Sequence, residues 1–377
     1  MNIVLDLLAA LAGLLLISYT LWDTFRTVVL PRRVTSRLRV IWVFYRLLWP
    51  GWRRLVLRLS RGGARETLLS LFGPLALLMQ TAIWATGLIL GFALLLWGFG
   101  PDLNDPIAGP TFGTTLYFSG VTFLTLGFGD VRPVSALARL LAVAEAGVGF
   151  AFLALVISYL PTLYQAFSRR EVVISLLDAR AGSPPSAGEL LRRCDEQHDV
   201  RALLAEWEVW SAEVLESHMS YPALALFRSL HDHQSWLATL TTILDTSALM
   251  LSRGPGNVQR QARLTFAMAR HTAVDLVQVL DVEPIYPDRN RLAPGTYAQL
   301  QAILDDIYPA PADPGSTQEQ LRGLRQLYEP YVTALSRFLH IPLPRWLPSS
   351  TEQDAWEASP YDDMHWQRLQ LGDDADA

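Results

Sequence analysis

Three stretches of the chain are apolar without the alternation that marks a half-buried strand. Ile3 to Trp22 holds a single carboxylate, Asp6; Thr67 to Pro101 has no charged side chain over 35 residues; Ala146 to Ser168 has none over 23. A membrane core about 30 Å thick is crossed by roughly 20 helical residues at 1.5 Å each, so each stretch predicts a spanning helix. Buried helices of a soluble core rarely run this long without charge. The first stretch lacks a basic leading region and a small-x-small cleavage site, and it reads as a retained helix rather than a signal peptide. Between the second and third lies Gly113 to Leu124, apolar but only about 18 Å long as a helix, which suits a re-entrant segment. Beyond Glu171 the pattern changes to the 3.6-residue period of soluble helices. Val200, Leu203, Leu204, Trp207, Trp210, Val214 and Leu215 share one face. Further helices are expected around 222–251, 257–281, 294–307 and 317–340, with proline-rich breaks at 284–287, 309–314 and 342–348. Ala181-Gly-Ser-Pro-Pro185 reads as a loop, and Ser186-Ala-Gly-Glu189 as a capping box. No strand series or internal repeat is evident.

Charge divides the chain where the hydropathy does. Its 377 residues are 51% hydrophobic and 18% charged with a net charge of −5, but residues 1–170 carry +8 and residues 171–377 carry −13. There is no lysine, so all 31 basic side chains are arginine. Eleven of them lie between Arg26 and Arg65 with no acid among them. Arg169 and Arg170 close the third span, while the loop from Asp102 to Pro110 has two Asp and no Arg. By the positive-inside rule residues 24–66 and everything after 168 face the cytoplasm, which leaves the amino terminus outside. The linker stretch from Val40 to Trp49 interleaves aromatics with arginine and suggests an amphipathic helix at the inner interface. Arg37, Arg39, Arg46, Arg53, Arg54, Arg58 and Arg61 do not recur at every third position within a span, so a voltage sensor is not indicated. One cysteine, Cys194, excludes a disulfide framework and a Cys-rich zinc module. The overall acidity argues against nucleic acid as a partner.

The segment after the short apolar helix reads Thr125-Leu-Gly-Phe-Gly-Asp130. Glycines at alternate positions permit torsions that let successive carbonyls point one way, and a ring of such carbonyls replaces the water shell of a cation. Non-helical backbone at this depth is tolerable only where it is buried in protein or lines water. Here residues 67–168 resemble the outer helix, pore loop and inner helix of potassium channels. Thr125–Asp130 resembles that family's T-V-G-Y-G-D signature, with Leu for Val and Phe for Tyr. The resemblance implies that the carbonyls of Thr125, Leu126, Gly127 and Phe128, with the Thr125 hydroxyl, coordinate dehydrated K+. It implies that Gly129 lets the strand turn outward, that Asp130 holds the outer end of the filter, and that Tyr117 and Phe118 form an aromatic cuff. Gly149 falls where many members keep a hinge glycine. With one pore loop per chain, the resemblance implies a homotetramer, unlike channels that carry two loops per chain. The first span is an addition to the minimal two-helix pore.

Other residues keep more than one reading. Glu145, in the inner helix, either tunes the cavity, braces the pore helix from behind, or is a protonated or hydrogen-bonded helix contact. Gly147 and Gly149 serve as a hinge or allow close helix contact. Pro161 removes a backbone donor and is expected to kink the inner helix, with Leu160 and Tyr164 as gate candidates. In the soluble half, His218, Arg228, His231, Asp232, His271 and Asp275 form a candidate ligand site. A His, a His-Asp pair and a distant Asp on helices resemble the metal site of helical phosphohydrolases, although 13 residues from His218 to His231 is a tight gap. A ligand or ion sensor and a satisfied polar network are the other readings. No strand–GxGxxG–helix unit supports a Rossmann domain, and Gly254-Pro-Gly256 is only a loop.

Together these features predict an all-α membrane protein: an N-terminal transmembrane helix (1–23), an arginine-rich linker (24–66), a pore domain (67–168), a cytoplasmic helical domain (169–348) and an acidic tail (349–377). The expected function is a tetrameric K+ channel of the plasma membrane, not an enzyme, with no cofactor and with K+ as the permeant ion. The alternatives are a non-selective cation channel and a membrane-anchored helical hydrolase or sensor.

Overall fold

The computed structural model describes residues 3–28, 30, 47–60, 63–100, 103–104, 111–194, 197–229, 234–287, 289–308 and 313–348. Most of the 24–66 linker before Leu47 and the whole of 349–377 fall outside these residues. The chain forms two compact units, residues 1–165 and 166–377.

Among the described residues three helical stretches are long and apolar enough to cross a membrane: Ile3–Val28, Gly63–Gly98 and Ala136–Ala181. The first unit contains α1 (Ile3–Val28), α2 (Trp49–Leu59), α3 (Gly63–Ser70), α4 (Phe72–Gly98) and α5 (Phe112–Phe123). It also contains most of α6 (Ala136–Ala181). Against α4, α1 buries Ala10, Gly13, Ile17, Thr20, Asp23, Thr24 and Thr27, a stripe of small and polar residues at helical spacing. Its long aliphatic side chains point away, with Leu7, Leu11 and Leu14 exposed. This is how helices associate in lipid, where burying Leu gains nothing and close backbone approach gains dispersion contacts. The hydroxyls of Thr20 and Thr24 return to the carbonyls of Leu16 and Thr20, 2.8 Å away in each case, so the stripe carries no idle donor there. Buried Asp23 accepts the indole N–H of Trp84 at 2.8 Å, pinning the register of the two helices.

The interfacial helix expected at Val40–Trp49 lies almost wholly outside the described residues. The amphipathic helix that is described, α2, begins where that stretch ends, with Pro50 in its first turn. Trp49 is buried with its ring 5.0 Å from Phe72, and the Trp52 indole donates to the Leu68 carbonyl at 3.0 Å.

In α6 the helix runs through Pro161 without interruption. Proline deprives one carbonyl of its partner. Neighbouring hydroxyls turn back onto the backbone there, Ser158 Oγ to Leu155 O at 2.9 Å and Thr162 Oγ1 to Ser158 O at 3.0 Å.

The second unit holds α7 (Ala187–Arg193), α8 (Gln197–Ser220), a 3-10 turn (Pro222–Leu226), α9 (Trp236–Arg253), α10 (Gly256–Val279), α11 (Pro294–Ile307), α12 (Pro314–Gln326) and α13 (Glu329–Leu339). Every residue of α9 from Trp236 to Leu251 is buried, the mark of a central helix covered on all sides. Its single carboxylate, Asp245, is met by Arg291 Nη2 at 2.5 Å and by the Tyr328 hydroxyl. Two expected helices are divided. Instead of one helix over 222–251, residues 227–229 are non-helical and α9 starts at Trp236, capped by Ser235, whose side chain accepts from Ala238 N at 3.0 Å. Instead of one helix over 317–340, α12 ends at Gln326 and α13 begins two residues before Tyr331, with Pro330 in its first turn where a missing N–H costs nothing. The predicted capping box is half made. Ser186 accepts from Glu189 N at 3.3 Å, but the Glu189 carboxylate turns to Arg192 and Arg193. The only strand pairing among the described residues is a two-residue antiparallel ladder, β1 (Leu103–Asn104) with β2 (Arg132–Pro133).

A methyl group on Gly98 would lie 2.4 Å from Ala10 N and 2.5 Å from Asp6 O, both backbone atoms of α1. Gly98→Ala should therefore part α1 from α4 and cost about 1–3 kcal/mol. It should lower the thermal midpoint of the detergent-solubilised protein. Gly51→Ala, whose added carbon meets nothing within 4 Å, should not.

Candidate functional site

The site begins with α5, a helix of 12 residues and too short to span. Thr111 caps it, its hydroxyl accepting from Thr114 N at 3.1 Å. The carboxyl end of α5 carries the partial negative charge of the helix dipole and opens directly onto Thr125–Asp130. There the backbone alternates. Thr125, Gly127 and Gly129 have φ of +57°, +60° and +78°, and Leu126 and Phe128 between them do not. Alternation of left-handed with ordinary torsions turns successive carbonyls toward one side. Glycine accepts that conformation freely, whereas β-branched Thr125 adopts it at a steric cost that only its surroundings can hold.

Hydrogen bonds fix the directions. Thr125 N donates to Thr122 O at 3.1 Å and Leu126 N to Val121 O at 2.9 Å. In a trans peptide the carbonyl points opposite to the N–H of the same unit, so the Thr125 carbonyl faces away from α5. At the far end Arg132 Nε donates to Gly129 O at 2.8 Å, which commits that carbonyl to its own chain. The Tyr117 hydroxyl donates to Asp130 Oδ2 at 2.8 Å, tying α5 to the outer end of the strand. Of the expected aromatic cuff, Phe118 is instead buried in a cluster with Leu96, Leu103, Val131 and Ala138. Leu126 and Phe128 are exposed within one chain, at 53% and 66%.

Behind the strand, α6 meets α5 at two points. A Cβ on Gly149 would sit 2.1 Å from the Phe123 carbonyl oxygen, so this glycine is where the helices touch; at Gly147 nothing lies within 4 Å. One turn earlier Glu145 is fully buried and hydrogen-bonds Ser119. The Ser119 hydroxyl also lies 2.7 Å from the Ile89 carbonyl of α4. A hydroxyl has one proton, and the Ile89 carbonyl can only accept. The chain Glu145–Ser119–Ile89 is complete when Glu145 carries the proton and donates to Ser119. Sequence reasoning picked Glu145 but missed Ser119, which is an ordinary small residue on α5 until the fold brings it to a buried acid. Of the other inner-helix candidates, Leu160 is 40% and Tyr164 66% exposed, and Pro161 lies between them.

The soluble-half candidates do not converge on an open site. His231 and Asp232 lie outside the described residues. His218 is fully buried. Its Nδ1 faces the Val214 carbonyl at 2.8 Å and must donate, which leaves Nε2 to accept from Arg170 Nη1 at 3.3 Å. Arg170 spends its other donors on Leu224 O, Phe227 O and Glu171, at 3.0, 2.9 and 3.0 Å. Arg228 donates to the carbonyls of Leu339 and His340, both at 3.0 Å. His271 pairs with Asp275 one turn along α10, at 3.3 Å. Among the described residues no three His, Cys, Asp or Glu side chains are grouped to hold a metal ion. Those described make three separate sets of contacts: His218 with Arg170, Arg228 with the carbonyls of residues 339 and 340, and His271 with Asp275.

With this geometry in place, comparison with known proteins is informative. Residues 80–166 match the family model described as ion channel. Over 245 residues, 64% of this chain and 69% of the relative, the sequence is 22% identical to the "Uncharacterized membrane protein YdjJ" of Bacillus subtilis strain 168. No solved structure matches. The segment from the middle of α4 through the strand to α6 is thus an ion-channel pore domain. The protein that carries it is an all-α membrane protein.

Two measurements test these contacts. Ser119→Ala leaves the buried Glu145 without its partner and should destabilise by about 1–3 kcal/mol. Glu145→Gln, which keeps a donor, should cost less, as thermal unfolding in detergent will show. His218 is held to a pKa of about 3, first by burial and then by the neighbouring Arg170 guanidinium. The unfolded chain binds a proton near pH 6.5 that the folded one refuses. The stability this contributes is complete above that pH and is lost as pH falls toward 3, by roughly 2 kcal/mol at pH 5. A pH series of unfolding midpoints should show the loss in the native protein and a shallower one in His218→Gln.

Proposed function

We propose that the protein is a homotetrameric, K+-selective channel in the plasma membrane that conducts passively through Thr125–Phe128. The observation that carries this reading is the alternation of φ signs at Thr125, Gly127 and Gly129. In a strand set that way, the carbonyls left over after Gly129 is taken by Arg132 form a column of oxygen ligands of the kind that replaces a cation's hydration shell. The carboxyl end of α5 adds a negative field at the inner end of that column, which favours a cation over an anion. Asp130, held by Tyr117, braces the outer end, and Glu145 braces α5 from behind.

A single copy presents only one wall of such a pathway. Along α6 the exposed residues Leu140, Val143, Phe150, Leu153, Ile157 and Tyr164 follow helical spacing and form one apolar stripe. In its apolar stretch α6 is only 11% buried, against 39% for the second span. Identical chains around a fourfold axis would cover that stripe and close the ring. Arginine on the inner side supports a cytoplasmic second unit and an external amino terminus. That unit assembles or gates the pore, with Gly149, Gly147 and Pro161 as the inner-helix positions where a change of shape would act. The protein is not an enzyme on this reading, and its partners are K+ and the bilayer.

Liposomes containing the purified protein should take up rubidium, and barium should block the uptake. Gly127→Ala, which forces a side chain onto the left-handed position, should reduce it by at least about a hundredfold. Uptake of sodium equal to that of rubidium would overturn K+ selectivity and leave a non-selective cation pore. Glu145→Gln separates bracing from a charge role: flux close to native supports the neutral brace, and a large change in conductance would show that an ionised Glu145 takes part.

A further inference from the structure

We propose that the second unit binds a small phosphate-bearing molecule with a planar ring, of the nucleoside monophosphate class, in the cavity that Tyr286, Pro287, Arg289, Asn290 and Leu292 form with helices α11 and α12. The cavity has a volume of about 560 Å3, within the range of sites that enclose small organic ligands. Its walls carry three guanidinium groups, Arg289, Arg322 and Arg325, and one carboxylate, Glu329. Glu329 is already committed, accepting from Arg325 at 3.0 Å and from Arg291 at 3.5 Å. Arg289 and Arg322 are exposed and make no ion pair or hydrogen bond among the described residues. Among the described residues that line it, the cavity therefore has an excess of two positive charges, although residues 171–377 carry −13. A phosphate monoester brings nearly two negative charges at neutral pH and presents oxygens that match the guanidinium fork.

The third arginine is preset. Arg325 is buried, donates to Asn290 Oδ1 at 2.5 Å and lies 5.5 Å from the centre of the Trp346 ring. It is therefore a fixed donor, not one that must be ordered on binding. Two tyrosines offer the ring a surface. Tyr286, at 78%, is the most exposed large hydrophobic side chain among the described residues, and it borders the cavity together with Tyr297. Buried Leu292 and Leu321 supply an apolar floor. An aromatic base laid on Tyr286 covers surface that the protein otherwise leaves to water.

The test is direct binding to the full-length protein in detergent, with adenosine 5′-monophosphate as the probe and with inorganic phosphate and adenosine titrated separately. Because the readout is heat of binding or a shift of the unfolding midpoint, it is independent of whether the pore conducts. The monophosphate should bind saturably, and at least about tenfold tighter than either fragment. The double variant Arg289→Ala/Arg322→Ala should weaken it by about a hundredfold while leaving the unliganded midpoint unchanged. Tyr286→Ala should weaken it by about five- to tenfold, and decides the matter should the double variant prove unstable. Absence of saturable binding at millimolar probe, or affinity unaffected by these substitutions, would overturn the proposal. Inorganic phosphate binding as tightly as the monophosphate would overturn the planar-ring assignment.

Discussion

A peptide group inside a membrane must find its hydrogen-bond partners within the protein, because lipid offers none. Helices meet this condition by themselves. The stretch after α5 does not, and the pore domain is arranged around that deficit. The N–H groups of Thr125 and Leu126 return to the end of α5, and the carbonyl of Gly129 goes to Arg132. The carbonyls between are turned to one side and held there by torsions that only glycine adopts without strain. A dehydrated cation is the partner that such a column of oxygens suits. The contacts behind the strand serve the same condition. Tyr117 holds Asp130, Ser119 joins Glu145 to Ile89, and Gly149 lets α6 lie against the carboxyl end of α5. None of these side chains faces the carbonyl column. They determine where it stands.

The membrane half was largely legible because its signals are local. A run of 20 or more uncharged residues, a short apolar helix and two alternating glycines each follow from a few neighbouring positions. What was not legible depends on residues far apart in sequence. Ser119 is unremarkable until Glu145 arrives beside it from 26 residues away. The left-handed torsion at Thr125 runs against its own side-chain preference and is imposed by the turn out of α5. Pro161 was expected to kink the inner helix; α6 runs on through it, and the hydroxyls of Ser158 and Thr162 bond to carbonyls of the turns beside it.

In the second unit one departure has a distant cause. The expected helix over 222–251 is interrupted because the carbonyls of Leu224 and Phe227 serve as acceptors for the buried Arg170, more than 50 residues earlier. That demand cannot be read from the local pattern around Leu224 and Phe227, which is apolar and helix-compatible. Two of the candidate histidines have partners in the fold. His218 is a neutral link in the Arg170 network, and His271 is one half of a pair along α10. With no lysine in the chain, guanidinium groups do this fastening throughout. Arg170 and Arg291 each reach acceptors on separate segments, and Arg228 reaches two consecutive carbonyls, which a single ammonium does poorly.

The exposed stripe on α6 and the exposed Leu126 and Phe128 have a further consequence, in the thermodynamics of association. A lone chain in lipid would leave the carbonyls of Thr125–Phe128 facing hydrocarbon, a far less favourable environment than the one they would meet in the proposed ring. If the ring is the native state, folding of this segment and encounter of the chains are one equilibrium. Its position then depends on how many copies share a given area of membrane. Diluting the protein with lipid should act on it as a denaturant acts on a soluble domain. No single free energy of unfolding would then describe the pore without a surface density beside it.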